Sequence, residues 1–180
     1  MSTILRKCLV LAHTLHNDRL KTWAESELNG YHDEVPDYRK TPAQAKGLFL
    51  GPAGAYINDQ PIPAQALKKE HRHWAEEVWL RQPIAAYESA KPDSRMAFAW
   101  PAGLTALYER TFFQKRYALN RAWQEVPGSV AVGLIDTIKT RILRFALELK
   151  SELGVFCISP RKPSIQTRQP AGLTICPAFF

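Results

Sequence analysis

The chain has 180 residues, 46% of them apolar and 23% charged, which is ordinary globular usage and excludes wholesale disorder. No apolar run approaches the roughly 18 residues that a membrane-spanning helix requires. Lys and Arg number 24 against 17 acids, a net charge of +7. Such a field favours encounters with nucleic acid or acidic surfaces without specifying either, and no compact Lys/Arg block is present.

Three cysteines, Cys8, Cys157 and Cys176, stand far apart with no C-x-x-C pair. That excludes a secreted disulfide framework and a zinc ribbon. The apolar stretch Cys8–Ala12 is too short for a signal peptide. The expected setting is therefore reducing and cytoplasmic, away from membranes.

Thr3–Leu15 reads as an amphipathic helix, with Ile4, Leu5, Cys8, Leu9, Ala12 and Leu15 on one face. Asn17 suits an N-cap for a second helix whose stripe is Leu20, Trp23, Ala24 and Leu28. Asn29-Gly30 ends it, with glycine free to turn left-handed. The short link predicts a helical hairpin. From Tyr31 to Pro63, five prolines and three glycines forbid a long helix. Gly47–Leu50 and Ala55–Ile57 are short strand candidates there.

Ala64–Glu77 has helical composition, and Val78–Leu80 either continues it or forms a strand. Pro83 suits the start of a helix over Ile84–Ala90. Met96–Trp100 is a strand candidate. Pro101 opens a helix with Leu104, Leu107, Tyr108 and Phe112 on its face. Tyr117–Val126 alternates imperfectly, as a strand would. Ser129 caps a long final helix to about Leu153, with Leu134, Ile135, Ile138, Ile142, Phe145, Ala146 and Leu149 as its stripe. Gly154 is the expected stop. The whole is read as α+β, with one domain over 1–153. The segment 154–180 is a basic, proline-containing tail with Arg161, Lys162 and Arg168 and no acid.

Few residue groups invite chemistry. His13 and His16 share a helix face, but two imidazoles fall short of the ligands a metal needs. His71 and His73 diverge on a helix and read as a solvated face. Glu25 with Glu27, and Glu76 with Glu77, read as surface helix acids. Cys8 belongs to an apolar stripe. Gly51-Pro52-Ala53-Gly54 lacks the lysine of a phosphate loop and reads as a turn. No nucleophile elbow, dinucleotide fingerprint or H-E-x-x-H occurs. No catalytic residue, metal or cofactor is therefore assigned. The best basic cluster is Arg110, Lys115, Arg116 and Arg121, interleaved with Tyr108, Phe112, Phe113, Tyr117 and Trp123. Cations can neutralise phosphates while rings stack on bases, although aromatics at such spacing more commonly build core.

The opening run Leu5-Arg6-Lys7, then Asn17-Asp18, Trp23-Ala24 and Glu27-Leu28-Asn29-Gly30-Tyr31, resembles the AbiTii domain of bacterial abortive-infection proteins. The likeness continues through Pro36-Asp37-Tyr38-Arg39, Asn58-Asp59-Gln60-Pro61-Ile62-Pro63 and Val78-Trp79-Leu80-Arg81-Gln82-Pro83-Ile84. It extends through Arg121-Ala122-Trp123 into the last helix and covers about 3–153. The resemblance implies antiphage defence, in which an infected cell is arrested or killed, and carries no catalytic residue over. Its motif positions here are Glu27, Leu28, Asn29, Gly30 and Tyr31 with Arg81 and Gln82. Of the resembling residues, Gly30 as a helix end, Tyr31 and Tyr38 as buried rings with wet hydroxyls, Pro61 and Pro63 around Ile62, and Asn58 and Asp59 as turn formers also have structural explanations.

Two functional classes follow. One is an interaction module that self-associates or docks on an effector or sensor protein; the terminal helices, rich in large apolar residues, motivate it. The other is a toxin acting on nucleic acid or translation, motivated by charge and the Arg110–Trp123 cluster. A small-molecule sensor would need a pocket that a sequence does not display.

Overall fold

Leu5, Cys8 and Ala12 line the buried side of the first helix, α1 (Ser2–Thr14), at the spacing that brings side chains to one face. The computed structural model describes residues 1–113 and 116–157. Asn17 caps α2 (Asp18–Asn29), its side-chain oxygen accepting from the Leu20 N–H at 2.9 Å, and so satisfies a donor that a helix start leaves open. α1 and α2 pack together as the expected helix pair. Gly30 ends α2 at φ 92° and ψ 171°. This is not the left-handed helical conformation anticipated but an extended, positive-φ region that is essentially glycine's own. The buried stripe of α2 is Leu20, Trp23, Ala24 and Glu27, with Leu28 only half-buried. Glu27 is thus not the surface acid expected; it takes the core-facing position seven residues after Leu20. Glu25 is exposed.

The proline-rich segment supplies β1 (Lys40–Pro42), β2 (Gln44–Leu50) and β3 (Tyr56–Pro61). Gly51–Ala55 forms the turn between β2 and β3, closed by the Gly51 N–H donating to the Ala55 carbonyl at 2.7 Å. Gly51 lies against the Tyr117 ring, where a Cβ would overlap it.

The single helix expected over Ala64–Glu77 does not form. The segment divides into 3-10 turns at Ala64–Ala66 and Lys69–His71 and the one-turn helix α3 (His73–Glu76). Leu67 and Lys68 between them are extended. Leu67 is buried, and the Lys68 N–H donates to Tyr108 Oη at 2.9 Å instead of a helical carbonyl. Tertiary burial here overrides local composition.

Val78 lies in a strand, β4 (Glu77–Trp79). After Pro83 there is only a 3-10 turn, Ile84–Tyr87, in place of the expected helix to Ala90. Strand β5 (Arg95–Ala99), helix α4 (Ala102–Leu107) and strand β6 (Ala118–Pro127) follow near their expected places. On α4, Leu107 faces water, while the adjoining Tyr108 is buried. The last helix, α5 (Ser129–Cys157), passes through Gly154. A helical glycine costs about 1 kcal/mol relative to alanine, which does not by itself stop a helix. Ala131, Leu134, Ile138, Phe145 and Leu149 are its buried residues, whereas Ala146 is exposed. The rest of the expected tail, from 158 onward, lies outside the described residues, as does Lys115.

Four strands form an antiparallel sheet in the order β3-β2-β6-β5, and β1 pairs antiparallel with β4. In β6, Arg121 pairs with Leu48 and Leu119 with Phe49, so Asn120 is the extra residue of a bulge. The bulge reverses the strand's inward parity. Leu119 is buried before it, and Ala122, Gln124 and Val126 after it. This is why the alternation in the sequence is broken.

The chain gathers into two units. The first comprises Met1–Asp33, Gln82–Ser89 and the chain from Gly133, and is helical. The second comprises Glu34–Arg81 and Ala90–Val132, and holds both sheets. Its core joins Phe49, Ile62, Leu67, Trp100, Tyr108 and Leu119. The architecture is α+β, with a helix pair first and a long helix last. Among the described residues, no helix is long and apolar enough to cross a membrane.

Candidate functional site

The Glu27–Tyr31 motif sits at the end of α2. Glu27 is fully buried, and Tyr31 Oη donates to its Oε1 at 2.8 Å. Gly30 supplies the backbone conformation that lets the chain return to place that hydroxyl. Asn29 is exposed and Leu28 half-buried. In the helical unit, the Gln82 N–H donates to Tyr87 Oη at 3.3 Å. In the sheet unit, the Arg81 guanidinium lies 4.9 Å from the Trp79 ring centre. Arg39, from the same resembling runs, is wholly buried; its Nη1 donates to the Leu80 carbonyl, whose own N–H donates back to the Arg39 carbonyl at 2.9 Å. These are contacts that hold a fold, since a buried cation or carboxyl needs fixed partners.

Two helices of the first unit carry apolar residues outside their buried stripes. Ile4, Val10 and Leu11 are exposed on α1. On α5, Leu143 is 59% exposed and Leu147 57%, and they stand one turn apart on the side opposite Leu134, Ile138 and Phe145. A helix apolar on two sides has a second surface to cover. Cys8 remains in the core, where burial pushes its thiol pKa up and keeps it neutral and unreactive.

Of the basic cluster, Arg110, Arg116 and Arg121 are all exposed. Arg110 stands 3.8 Å from the carboxylate of Glu109. The neighbouring rings divide: Phe112 and Phe113 pack edge-on against the core residue Phe49, at 5.5 and 5.0 Å. Arg121, Asn120 and Trp123 line an open hollow of about 580 Å³ beside α4.

The histidines are less uniform than expected. His13 and His16 are exposed, and among the described residues no three His, Cys, Asp or Glu side chains form a metal-holding group. His71 is half-buried and bonded through Nδ1 to Tyr108 Oη at 2.9 Å, so it is a structural contact, not part of a solvated face. His73 is exposed.

His73 helps to line a second hollow in the sheet unit, a cavity of about 190 Å³. Trp74 from α3, Trp79 from β4 and Phe98 from β5 give it aromatic walls. Glu77 and Gln124 give it a polar edge. Gln124 is 3% exposed, and its Nε2 donates to the carbonyls of His73 and Glu77. Trp79 Nε1 donates to Glu77 Oε1 at 2.8 Å. Lys40, the cross-strand partner of Trp79, approaches that ring at 5.7 Å and pairs with Asp37 at 2.8 Å. The bond from Lys40 lowers the Asp37 pKa, and the same bond raises that of Lys40. His73 and Glu77 also border a shallower groove with Lys40 and Glu76.

This assembly is hard to see in sequence because its walls come from four elements. The available signal is strand alternation, which puts Glu77, Trp79 and Arg81 on one side of β4 and its continuation.

The AbiTii family model matches residues 1–167. No curated protein and no solved structure matches the chain.

Proposed function

We propose, from the premise that the chain belongs to the AbiTii family and hence to abortive-infection defence against phage, that it works as an interaction module whose self-association controls or assembles an effector. The observation that supports this reading is the outer face of α5. Leu143 and Leu147 are more than half exposed there, on the side opposite the helix's buried stripe. Burying what one leucine of this kind still exposes contributes about 1–2 kcal/mol, so four such residues across a twofold contact would supply a sizeable part of a micromolar association. A twofold contact also needs only one patch, since it is met by its own copy.

Light scattering of the full chain over a range of concentrations tests this. The expected mass exceeds the 20.4 kDa of one chain and rises with concentration. Leu143→Asp with Leu147→Asp returns it to the monomer value, with a melting temperature near that of the parent, because surface changes move stability by only about 0.5 kcal/mol. A strict monomer at high concentration, with no partner recovered by pull-down, removes the proposal. The second reading, a toxin acting on nucleic acid, draws on Arg121 beside Trp123 at the open hollow. Growth arrest on expression in a phage-free host, abolished by Arg121→Ala, would favour it over assembly.

A further inference from the structure

We infer that the cavity between α3, β4, β5 and β6 is a binding site for one unpaired guanine base. Its size comes first. About 190 Å³ is below the 300–1,000 Å³ range of drug-sized ligand pockets, and suits a single flat ring system. Its walls come second. Trp74, Trp79 and Phe98 present aromatic surfaces, and the Arg81 guanidinium, 4.9 Å from the Trp79 ring centre, adds another flat group to the lining. Bases stack on both kinds of surface.

Charge then narrows the ligand. An aromatic pocket with a carboxylate can also attract an organic cation. Here the Trp79 ring already has Arg81 at 4.9 Å and Lys40 at 5.7 Å, so a cationic guest meets like charge. A neutral ring does not.

The polar edge selects among neutral rings. Glu77 offers carboxylate oxygens, one of them shared with Trp79 Nε1. Gln124 commits its Nε2 to two backbone carbonyls, so its amide offers the cavity no donor. The polar edge therefore receives hydrogen bonds, through the Glu77 carboxylate, and gives none. Guanine presents adjacent donors, N1–H and the N2 amine, along one edge. Adenine sets an acceptor, N1, in the corresponding place, and pyrimidines offer less area to stack. The adjoining groove sets Lys40 and His73 beside two carboxylates, Glu76 and Glu77, so the base and not a phosphate carries the recognition. The guanine can thus belong to a free nucleotide or to single-stranded RNA.

Titrating the full chain with GMP, while following the indole N–H signals of its five tryptophans by NMR, tests the inference. GMP is expected to shift two of those signals saturably, and Trp79→Phe identifies one of them. IMP, which lacks the N2 amine, binds several-fold more weakly and AMP at least about tenfold more weakly, since an accepting group left facing an acceptor forfeits its bond. Glu77→Gln weakens GMP by about tenfold. This ranking of ligands needs no variant, so it stands even where Glu77→Gln disturbs the fold. A tetranucleotide containing one guanine separates the sources. Tighter binding than GMP assigns the base to RNA, and equal or weaker binding assigns it to the free nucleotide. AMP binding as well as GMP, or no saturable shift with GMP and the tetranucleotide, overturns the assignment.

Discussion

A carboxyl group withdrawn from water must be met by donors, and Glu27 is met in part by the Tyr31 hydroxyl at 2.8 Å. The arrangement depends on Gly30, because the chain between them passes through φ 92°. Three residues of the Glu27–Tyr31 run therefore act as one device that fastens the end of α2. Tyr31→Phe removes one donor and keeps the ring, and it should cost about 1–2 kcal/mol in urea denaturation without changing the m-value. Glu27→Ala also opens a void and strands the donors, and should cost about 3 kcal/mol. If both variants unfold at the parent's midpoint, the motif's value lies elsewhere than in this bond. The sequence places Glu27 beside Leu28 and leaves open which of them faces the core. The spacings of seven from Leu20, four from Trp23 and three from Ala24 favour the acid, but ordinary hydrophobic reasoning discards it.

At the scale of elements, legibility follows the range of the interactions involved. Both terminal helices are set by local periodicity, and they appear within a few residues of where the pattern puts them, although Ser129, the expected cap of α5, is the first residue of that helix. Asn17 and its bond to Leu20 are local and are read directly. The segment Ala64–Glu77 fails because its geometry is dictated from a distance. Leu67 must reach the sheet's core, and Lys68 bonds Tyr108, forty residues away. The β6 bulge at Asn120 is likewise a property of pairing with β2. The aromatic cavity depends entirely on such pairings, with Phe98 opposite Gln124 across β5 and β6, and so none of it is visible as a motif. Gly128 is an intermediate case. Pro127-Gly128 reads as a turn before α5, but the reason for glycine is its closeness to another segment. A Cβ there would overlap the Lys91 carbonyl oxygen and Ser94 Oγ, and the Gly128 N–H donates to the Ser94 carbonyl at 2.7 Å. Gly128→Ala should therefore destabilise the sheet unit by roughly 2–4 kcal/mol, far beyond any propensity effect. Circular dichroism melts of this variant against Gly133→Ala, where a Cβ meets nothing, separate the two causes; similar melting temperatures would refute the steric account.

For the molecule as a whole, each unit fastens a carboxylate in a way that ties stability to pH. In the helical unit, Glu88 Oε1 accepts from the Ser2 hydroxyl at 2.7 Å and the Ser2 N–H at 2.8 Å, and lies 3.0 Å from the terminal ammonium of Met1. The Ser2 hydroxyl, and after it the ammonium, hold its pKa down from 4.5 to about 2. In the sheet unit, Lys46 at 2.8 Å and, secondarily, Arg95 at 3.2 Å hold Glu125 below its usual range. A carboxyl whose pKa is lower in the folded state takes up its proton later there than in the unfolded chain. Acid then favours unfolding, and the stabilisation present above about pH 4.5 fades as pH falls towards each folded value. For Glu88 that loss runs from 4.5 down to about 2. Both pairs are reached by solvent, so salt weakens them. Thermal melts from pH 7 to pH 2 should show Glu88→Gln and Glu125→Gln below the parent at neutral pH and converging on it in acid. At pH 7, added salt should narrow the same gap. A gap of constant size across that range would mean that shape, not charge, carries the effect of these two side chains.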